Sequence, residues 1–316
     1  MSELGYALIG CGRISRNHLR SIEALDQARI EVVVDPDQAK AEALAQSCRR
    51  RPRLAQDWRE VVGAPGVDVV VVTAPTHCHA EIVIAAAEAG RHVYCEKAMA
   101  STTNECRRMN AAAAAAGVRM TIGQSTRFQP AILMARRLCD QGDLGETFAV
   151  DARFSTNAEP LARGATDSWR YRAGSAGHGH VINFGCHYVV TARFLLGQDP
   201  VTVSAVVSNL FSQELISEDQ FSALSTCDRG ALISILLRAA PAGNRDPHEG
   251  YTVHGSEGLL HVDRGSKTIV VMRGSTRSEV PVDPELLRED GFQRLHRLFR
   301  DAILSDGPVP LEGAIA

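Results

Sequence analysis

Ala7-Leu8-Ile9-Gly10-Cys11-Gly12-Arg13-Ile14-Ser15 is the stretch on which the fold turns. Tyr6 to Ile9 reads as a short buried strand, the two glycines as a sharp turn, and Arg13 to Leu25 as a helix. A strand, a glycine turn and a helix in that order predict a dinucleotide-binding unit. Gly10 makes the tight turn. Gly12, followed by Arg13 and Ile14 where the helix opens, lets backbone amides approach a pyrophosphate. The third small position is Ser15 rather than glycine, which predicts slightly looser helix–strand packing. Asp35 lies 20 residues beyond Ser15, at the end of the apolar run Ile30-Glu31-Val32-Val33-Val34. A carboxylate there can accept hydrogen bonds from a ribose.

Outward from this stretch, strands and helices alternate up to residue 123. Continuous apolar runs at Val67–Thr73, His92–Cys95 and Met120–Ile122 read as strands buried on both faces. Between them lie helical stretches at Pro36–Gln46, His79–Ala89 and Thr102–Ala116, with Pro36 placed in a first helical turn and Gly90 and Gly117 as stops. Arg49-Arg50-Arg51-Pro52-Arg53 reads as a solvated loop. Such repeated units force a parallel, doubly wound sheet, the α/β Rossmann arrangement, over 1–123.

From 124 to 316 the pattern is α+β. Helices are predicted at Pro130–Gln141, Val181–Leu196 and Pro284–Leu304. Thr147–Phe154 and a succession of antiparallel strands from Val201 to Met272 form a large open sheet.

Composition bounds the partners. The chain has 316 residues, 22% charged and 45% hydrophobic, and a net charge of −3. With a pI near 6.4, this argues against nucleic acid or an anionic membrane as a partner. No apolar segment of spanning length occurs, and the first strand begins too early to leave room for a signal peptide. Eight cysteines without a Cys-x-x-Cys spacing suit free thiols in the cytoplasm.

Ligands of a parallel sheet bind beyond the carboxyl ends of its strands. The loops Ala74-Pro75-Thr76-His77-Cys78-His79, Glu96-Lys97-Ala98 and Gly123-Gln124-Ser125-Thr126-Arg127-Phe128 qualify, with Thr73 at the end of its strand. Lys97 follows a strand that ends at the crevice, where its amine can act as a proton acceptor; position alone fits a surface lysine equally well. The segment Gly177 to His187 holds a second set, in which Asn183 and His187 are one helical turn apart on a face that Val190 continues. His180 and His187 would lie about 10 Å apart along a helix, too far to ligate one zinc, and no metal is expected.

These residues together resemble the Gfo/Idh/MocA (glucose–fructose oxidoreductase and inositol dehydrogenase) family of nicotinamide-dependent enzymes. The resemblance rests on Gly10-Cys11-Gly12, Thr73-Ala74-Pro75-Thr76 with His79, Gly90 to Lys97, Arg127-Phe128-Gln129-Pro130, Gly142 to Glu146, Trp169-Arg170 and Gly177 to His187. It implies hydride transfer at a carbinol carbon of a sugar, sugar acid or cyclitol, with Lys97 as the catalytic lysine and His187 as the active-site histidine. Asn183 would orient the substrate. It also implies a homo-oligomer, dimer or tetramer, joined through the open sheet. Arg127, Trp169, Arg170, Arg172 and His180 are candidate substrate contacts. Gly10, Gly12, Arg13, Ile14, Asp35, Thr73, Pro75, Thr76, His79, Glu96, Lys97 and Gln124 are candidate cofactor contacts.

Four positions depart from the family. Ala98 replaces a proline after the lysine, Asn183 an aspartate and Val190 an acid, and no helix returning to the nucleotide domain is expected after Pro310. Asp35-Pro36-Asp37 sets two carboxylates where a 2′-phosphate would lie, so NAD is expected over NADP. Two other readings remain open: a relative that retains NAD to cleave a glycosidic bond or invert a centre, and a non-catalytic NAD-binding sensor.

Overall fold

The computed structural model describes residues 3–157, 179–210, 218–240, 246–311 and 313. It divides into two compact units, Met1–Gln124 with Phe292–Ala316, and Ser125–Gly291.

The first unit is built on six parallel strands: β1 (Leu4–Ile9), β2 (Ala28–Val34), β3 (Arg53–Ala55), β4 (Val69–Val72), β5 (His92–Cys95) and β6 (Met120–Ile122), in the order β3-β2-β1-β4-β5-β6. The four valines of β4 are fully buried, as a strand covered on both faces requires. Helices α1 (Ser15–Glu23), α2 (Gln38–Ala45), α3 (Thr76–Glu88) and α4 (Thr103–Ala116) connect them. Thr102 and Glu105 form a reciprocal capping box that starts α4, and Gly117 stops it at φ +66°. The strand order reverses between β1 and β4, which stay paired up to Ile9 and Val72, and the crevice of such a sheet lies beyond these carboxyl ends.

Two sequence expectations change here. Arg53, expected in a loop, begins β3, which pairs with Val32 to Val34. Pro36 lies outside α2, because Asp37 is the cap and accepts from the Ala39 and Lys40 amides at 3.1 and 3.4 Å.

The second unit carries an eight-stranded sheet of β7 (Thr147–Asn157), β8 (Pro200–Ser208), β9 (Gln220–Cys227), β10 (Leu232–Ala240), β11 (Gly250–Gly255), β12 (Gly258–Val262), β13 (Thr268–Arg273) and β14 (Thr276–Pro281). The order is β14-β13-β12-β11-β7-β10-β9-β8. Every neighbouring pair is antiparallel except β7 and β10, which run parallel, and β14 is a strand the sequence reading lacked. Helices α5 (Pro130–Asp140) and α6 (Cys186–Leu196) contribute Ala131, Ile132, Ala135, Leu138, Tyr188, Ala192 and Leu195 to one core with the sheet. There Phe154 stacks on Tyr188 with ring centroids 3.8 Å apart.

The last helix, α7 (Gly291–Leu304), corrects the expected division at residue 123. From Phe292 the chain clusters with the first unit, where Leu295 and Phe299 are fully buried and Phe299 packs edge-on to Tyr94. Beyond it, Leu311 O accepts from Thr121 Oγ1 at 2.9 Å and Ile122 N at 3.4 Å, alongside β6. The chain thus returns to the first unit ahead of Pro310, through α7.

Candidate functional site

Gly10 adopts φ +98°, and a Cβ placed on it would come within 2.6 Å of Ala74 N and 2.7 Å of Thr73 C. Its missing side chain is what lets the first turn pass the end of β4. A Cβ on Gly12 would meet no atom within 4 Å among the described residues, and that open side lies at the entry to α1. Arg13 is exposed and Ile14 half-buried at the helix cap. Ser15 is fully buried and its hydroxyl donates to Gly12 O at 2.5 Å, so this position tightens the turn instead of loosening it.

Asp35 stands across from the turn. Its Oδ2 accepts from Cys11 N at 2.8 Å and its Oδ1 from Asp37 N at 2.9 Å, which fixes the carboxylate while leaving lone pairs for further donors. Burial, then Asp35, pushes the Cys11 thiol up to about 12, so it stays protonated. Thr73 Oγ1 lies 3.0 Å from Ile9 O and 2.5 Å from Gly10 O, tying β4 to the turn. This arrangement fits a dinucleotide: an open glycine at a helix start, with a carboxylate pinned beside it.

Lys97 follows β5, is half-buried, and is joined to Ala98 by a cis peptide bond. It is one of only three lysines in the chain, with Lys40 and Lys267. The segment around it is held from both sides. Glu96 is buried, and its Oε2 accepts from the Lys97 amide at 3.0 Å. A Cβ on Gly123 would fall 2.7 Å from Glu96 Oε1, so the glycine makes room for this carboxylate. His79 is buried too. Its Nδ1 lies 3.0 Å from Ala98 O and 3.2 Å from Met99 O, and its Nε2 2.9 Å from Ala74 O. Burial lowers its pKa, against the opposing pull of these three carbonyl oxygens. The restraint expected to be lost with proline at 98 is thus supplied by side chains. Glu96 and His79, both candidate cofactor contacts, face inward as braces. Pro75 caps α3 with Thr76 as its first residue, and Gln124 is buried with Oε1 unpartnered among the described residues.

Sequence reasoning missed the residues behind Glu96. His18 Nε2 lies 3.0 Å from Glu96 Oε1, and His18 Nδ1 lies 2.9 Å from His296 Nε2. Both imidazoles are fully buried, and Tyr94 stacks on His296 at 4.3 Å. The available signal was their position on apolar helix faces, His18 with Ile22 and His296 with Phe292 and Phe299.

In the second unit, residues Val181–Gly185 form a π turn ahead of α6. Asn183 lies inside that wider turn and His187 in the first turn of α6, so they are not the plain α-helical pair expected. Gly185 permits this packing, since a Cβ there would lie 3.0 Å from Phe221 Cζ. Val190 is buried and serves the core. His180, expected at the substrate, is buried against Phe184. Its Nδ1 lies 2.9 Å from Thr156 Oγ1, and burial lowers its pKa; it reads as a satisfied interior histidine. The Arg127 guanidinium lies 4.5 Å over the Phe194 ring, and burial with nearby Arg193 and Arg136 lowers its pKa. Trp169, Arg170 and Arg172 lie outside the described residues. Among the described residues, no group of His, Cys, Asp or Glu could hold a metal ion, and no helix is long and apolar enough to cross a membrane.

Residues 4–124 match the family model described as an oxidoreductase family with an NAD-binding Rossmann fold. Residues 132–261 match that of the GFO/IDH/MocA C-terminal domain. The chain is similar to levoglucosan dehydrogenase of Pseudarthrobacter phenanthrenivorans, 29% identical over 239 residues, which span 73% of this chain and 60% of that protein. It is similar to inositol 2-dehydrogenase of Rhizobium meliloti, 26% identical over 301 residues, 93% of this chain and 82% of that one. It shares its fold with the solved structure of levoglucosan dehydrogenase in complex with NADH and levoglucosan. That likeness has a TM-score of 0.87 at 23% identity, covering 99% of this chain and 93% of the other.

Proposed function

The chain belongs to the Gfo/Idh/MocA family of oxidoreductases, and from that premise we propose that it is an NAD-dependent dehydrogenase of a sugar, sugar acid or cyclitol. The observation that carries this reading is the pairing, within one unit, of a dinucleotide cradle with a braced lysine. Gly10, Gly12 and Asp35 form the cradle, and Lys97 stands two strands away at the same carboxyl edge of the sheet. NAD, when bound, supplies the hydride acceptor. Asp35 accepts from the ribose hydroxyls, and with Asp37 it sets two negative charges against a 2′-phosphate, which favours NAD over NADP.

Lys97 takes the proton of the substrate hydroxyl, a task that needs a group able to be neutral near physiological pH. His187 hydrogen-bonds the reacting oxygen and Asn183 orients the substrate, roles that rest on the family resemblance. Arg127 is proposed as a further substrate contact. The second unit, Ser125–Gly291, is proposed as the substrate-binding and oligomer-forming domain. On β8, Val201, Val203, Val206 and Val207 are exposed, Val206 by 73%, a surface that a second copy of the chain would cover. Eight free cysteines fit the cytoplasm as its compartment.

Incubation of the protein and NAD with a panel of sugars, sugar acids and inositols tests the reading. One NADH released per substrate oxidised is the result expected. NAD binding without any oxidation across the panel would support the sensor instead, and conversion without net NADH would support the NAD-retaining chemistry.

A further inference from the structure

The buried line Glu96–His18–His296 has a direction. Burial and the neighbouring His18 hold His296 well below the usual imidazole range, so it is neutral and has a single N–H. Its Nδ1 has no partner among the described residues, which assigns that proton to Nε2, where it donates to His18 Nδ1. His18 then carries its own proton on Nε2 and donates it to Glu96 Oε1. The other carboxylate oxygen, Oε2, is left to accept the Lys97 amide. Every donor in the series points toward the residue that precedes Lys97, and the far end is closed by the stacked Tyr94 ring. Phe292 and Tyr94 also pack edge-on against His18. Loss of the His18 donor would leave the buried Glu96 carboxylate short of a hydrogen bond, a cost that a rearrangement of the carboxylate can relieve.

We infer that His18, backed by His296, is a positioning residue for Lys97, acting through the Glu96 carboxylate that holds the lysine's backbone. The inference rests on the reading of Lys97 as the proton acceptor, yet it can be tested apart from turnover. Only three lysines are present, so reductive methylation with a ¹³C label gives a small set of side-chain NMR signals, and Lys97 is assigned by its loss in Lys97→Arg.

The test compares His18→Leu, which removes both hydrogen bonds, with His18→Gln, whose amide can donate to Glu96 and accept from His296. In His18→Leu the Lys97 signal is expected to shift or broaden while Lys40 and Lys267 stay in place. There kcat falls roughly 10- to 100-fold, the scale of an ångström-sized misplacement, while the Kd for NADH changes less than about threefold. His18→Gln restores both the signal and most of kcat. If His18→Leu does not accumulate folded, His296→Phe carries the same test with a smaller drop in kcat. An unmoved Lys97 signal in the leucine variant, or equal losses in the leucine and glutamine variants, would overturn the inference. A shifted signal in a protein whose wild type oxidises no alcohol would sink the dehydrogenase reading and leave the positioning role standing.

Discussion

Position 97 carries a lysine in a chain that otherwise meets its need for positive charge almost wholly with arginine. Arginine cannot release its proton in a protein, whereas lysine can, so a lysine suits a proton-transfer role at this position where an arginine would not. The two glycines of the first turn divide the labour in a way substitution can resolve. Gly10→Ala places a methyl 2.6 Å from Ala74 N at a backbone angle L-residues avoid, and should cost ~2 kcal/mol or more of stability in denaturant unfolding. Gly12→Ala meets nothing among the described residues, so it should unfold like wild type but bind NAD about tenfold more weakly by calorimetry, equivalent to ~1.4 kcal/mol. Equal stability losses in both would contradict this division. Gly10, Gly12 and Asp35 could be proposed from the sequence because a turn, a helix start and the next strand lie within 25 residues, whereas Lys97 was singled out by the end of its strand and the family resemblance. His18 and His296 were not: they are 278 residues apart, and nothing local to either names the other.

At the scale of elements, the buried strands announced themselves as unbroken apolar runs, and β5 and β6 have the predicted bounds. β3 escaped because its three residues, Arg53 to Ala55, start with a charge and are too few for a period. β14, with the sequence Thr-Arg-Ser-Glu-Val-Pro, lies at the sheet edge and is exposed, so little apolar patterning marks it. The π turn at Val181–Gly185 leaves no repeat in the sequence, which is why an α-helical step was expected between Asn183 and His187. Helix α7 also sets a pH dependence. His296 is held neutral in the folded state but takes up a proton in the unfolded chain below its ordinary value of 6.5. The unfolded state then binds more protons, so stability falls as pH drops below about 6.5, by up to ~1.4 kcal/mol per pH unit for this one group. Urea unfolding from pH 7.5 to 5.0 should show a shallower decline in His296→Phe than in wild type; identical slopes would contradict the assignment.

At the scale of the whole molecule, the alternation of strands and helices foretold a doubly wound sheet followed by an open one, and both are present. Three features of the topology were hidden, because they depend on which distant segments pair. β10 runs parallel to β7, β11 lies on β7's other side, and the segment from Phe292 belongs with the first unit rather than the second. The last of these matters most for function, since it brings His296 behind the residue next to Lys97. The most direct measurement of the central claim is the rate of NADH formation by Lys97→Met against wild type, on whichever polyol or sugar the wild-type protein oxidises. The account predicts a fall of about 10²- to 10⁴-fold in kcat with the Kd for NADH little changed, as loss of a general base requires. Wild-type turnover in Lys97→Met would contradict it.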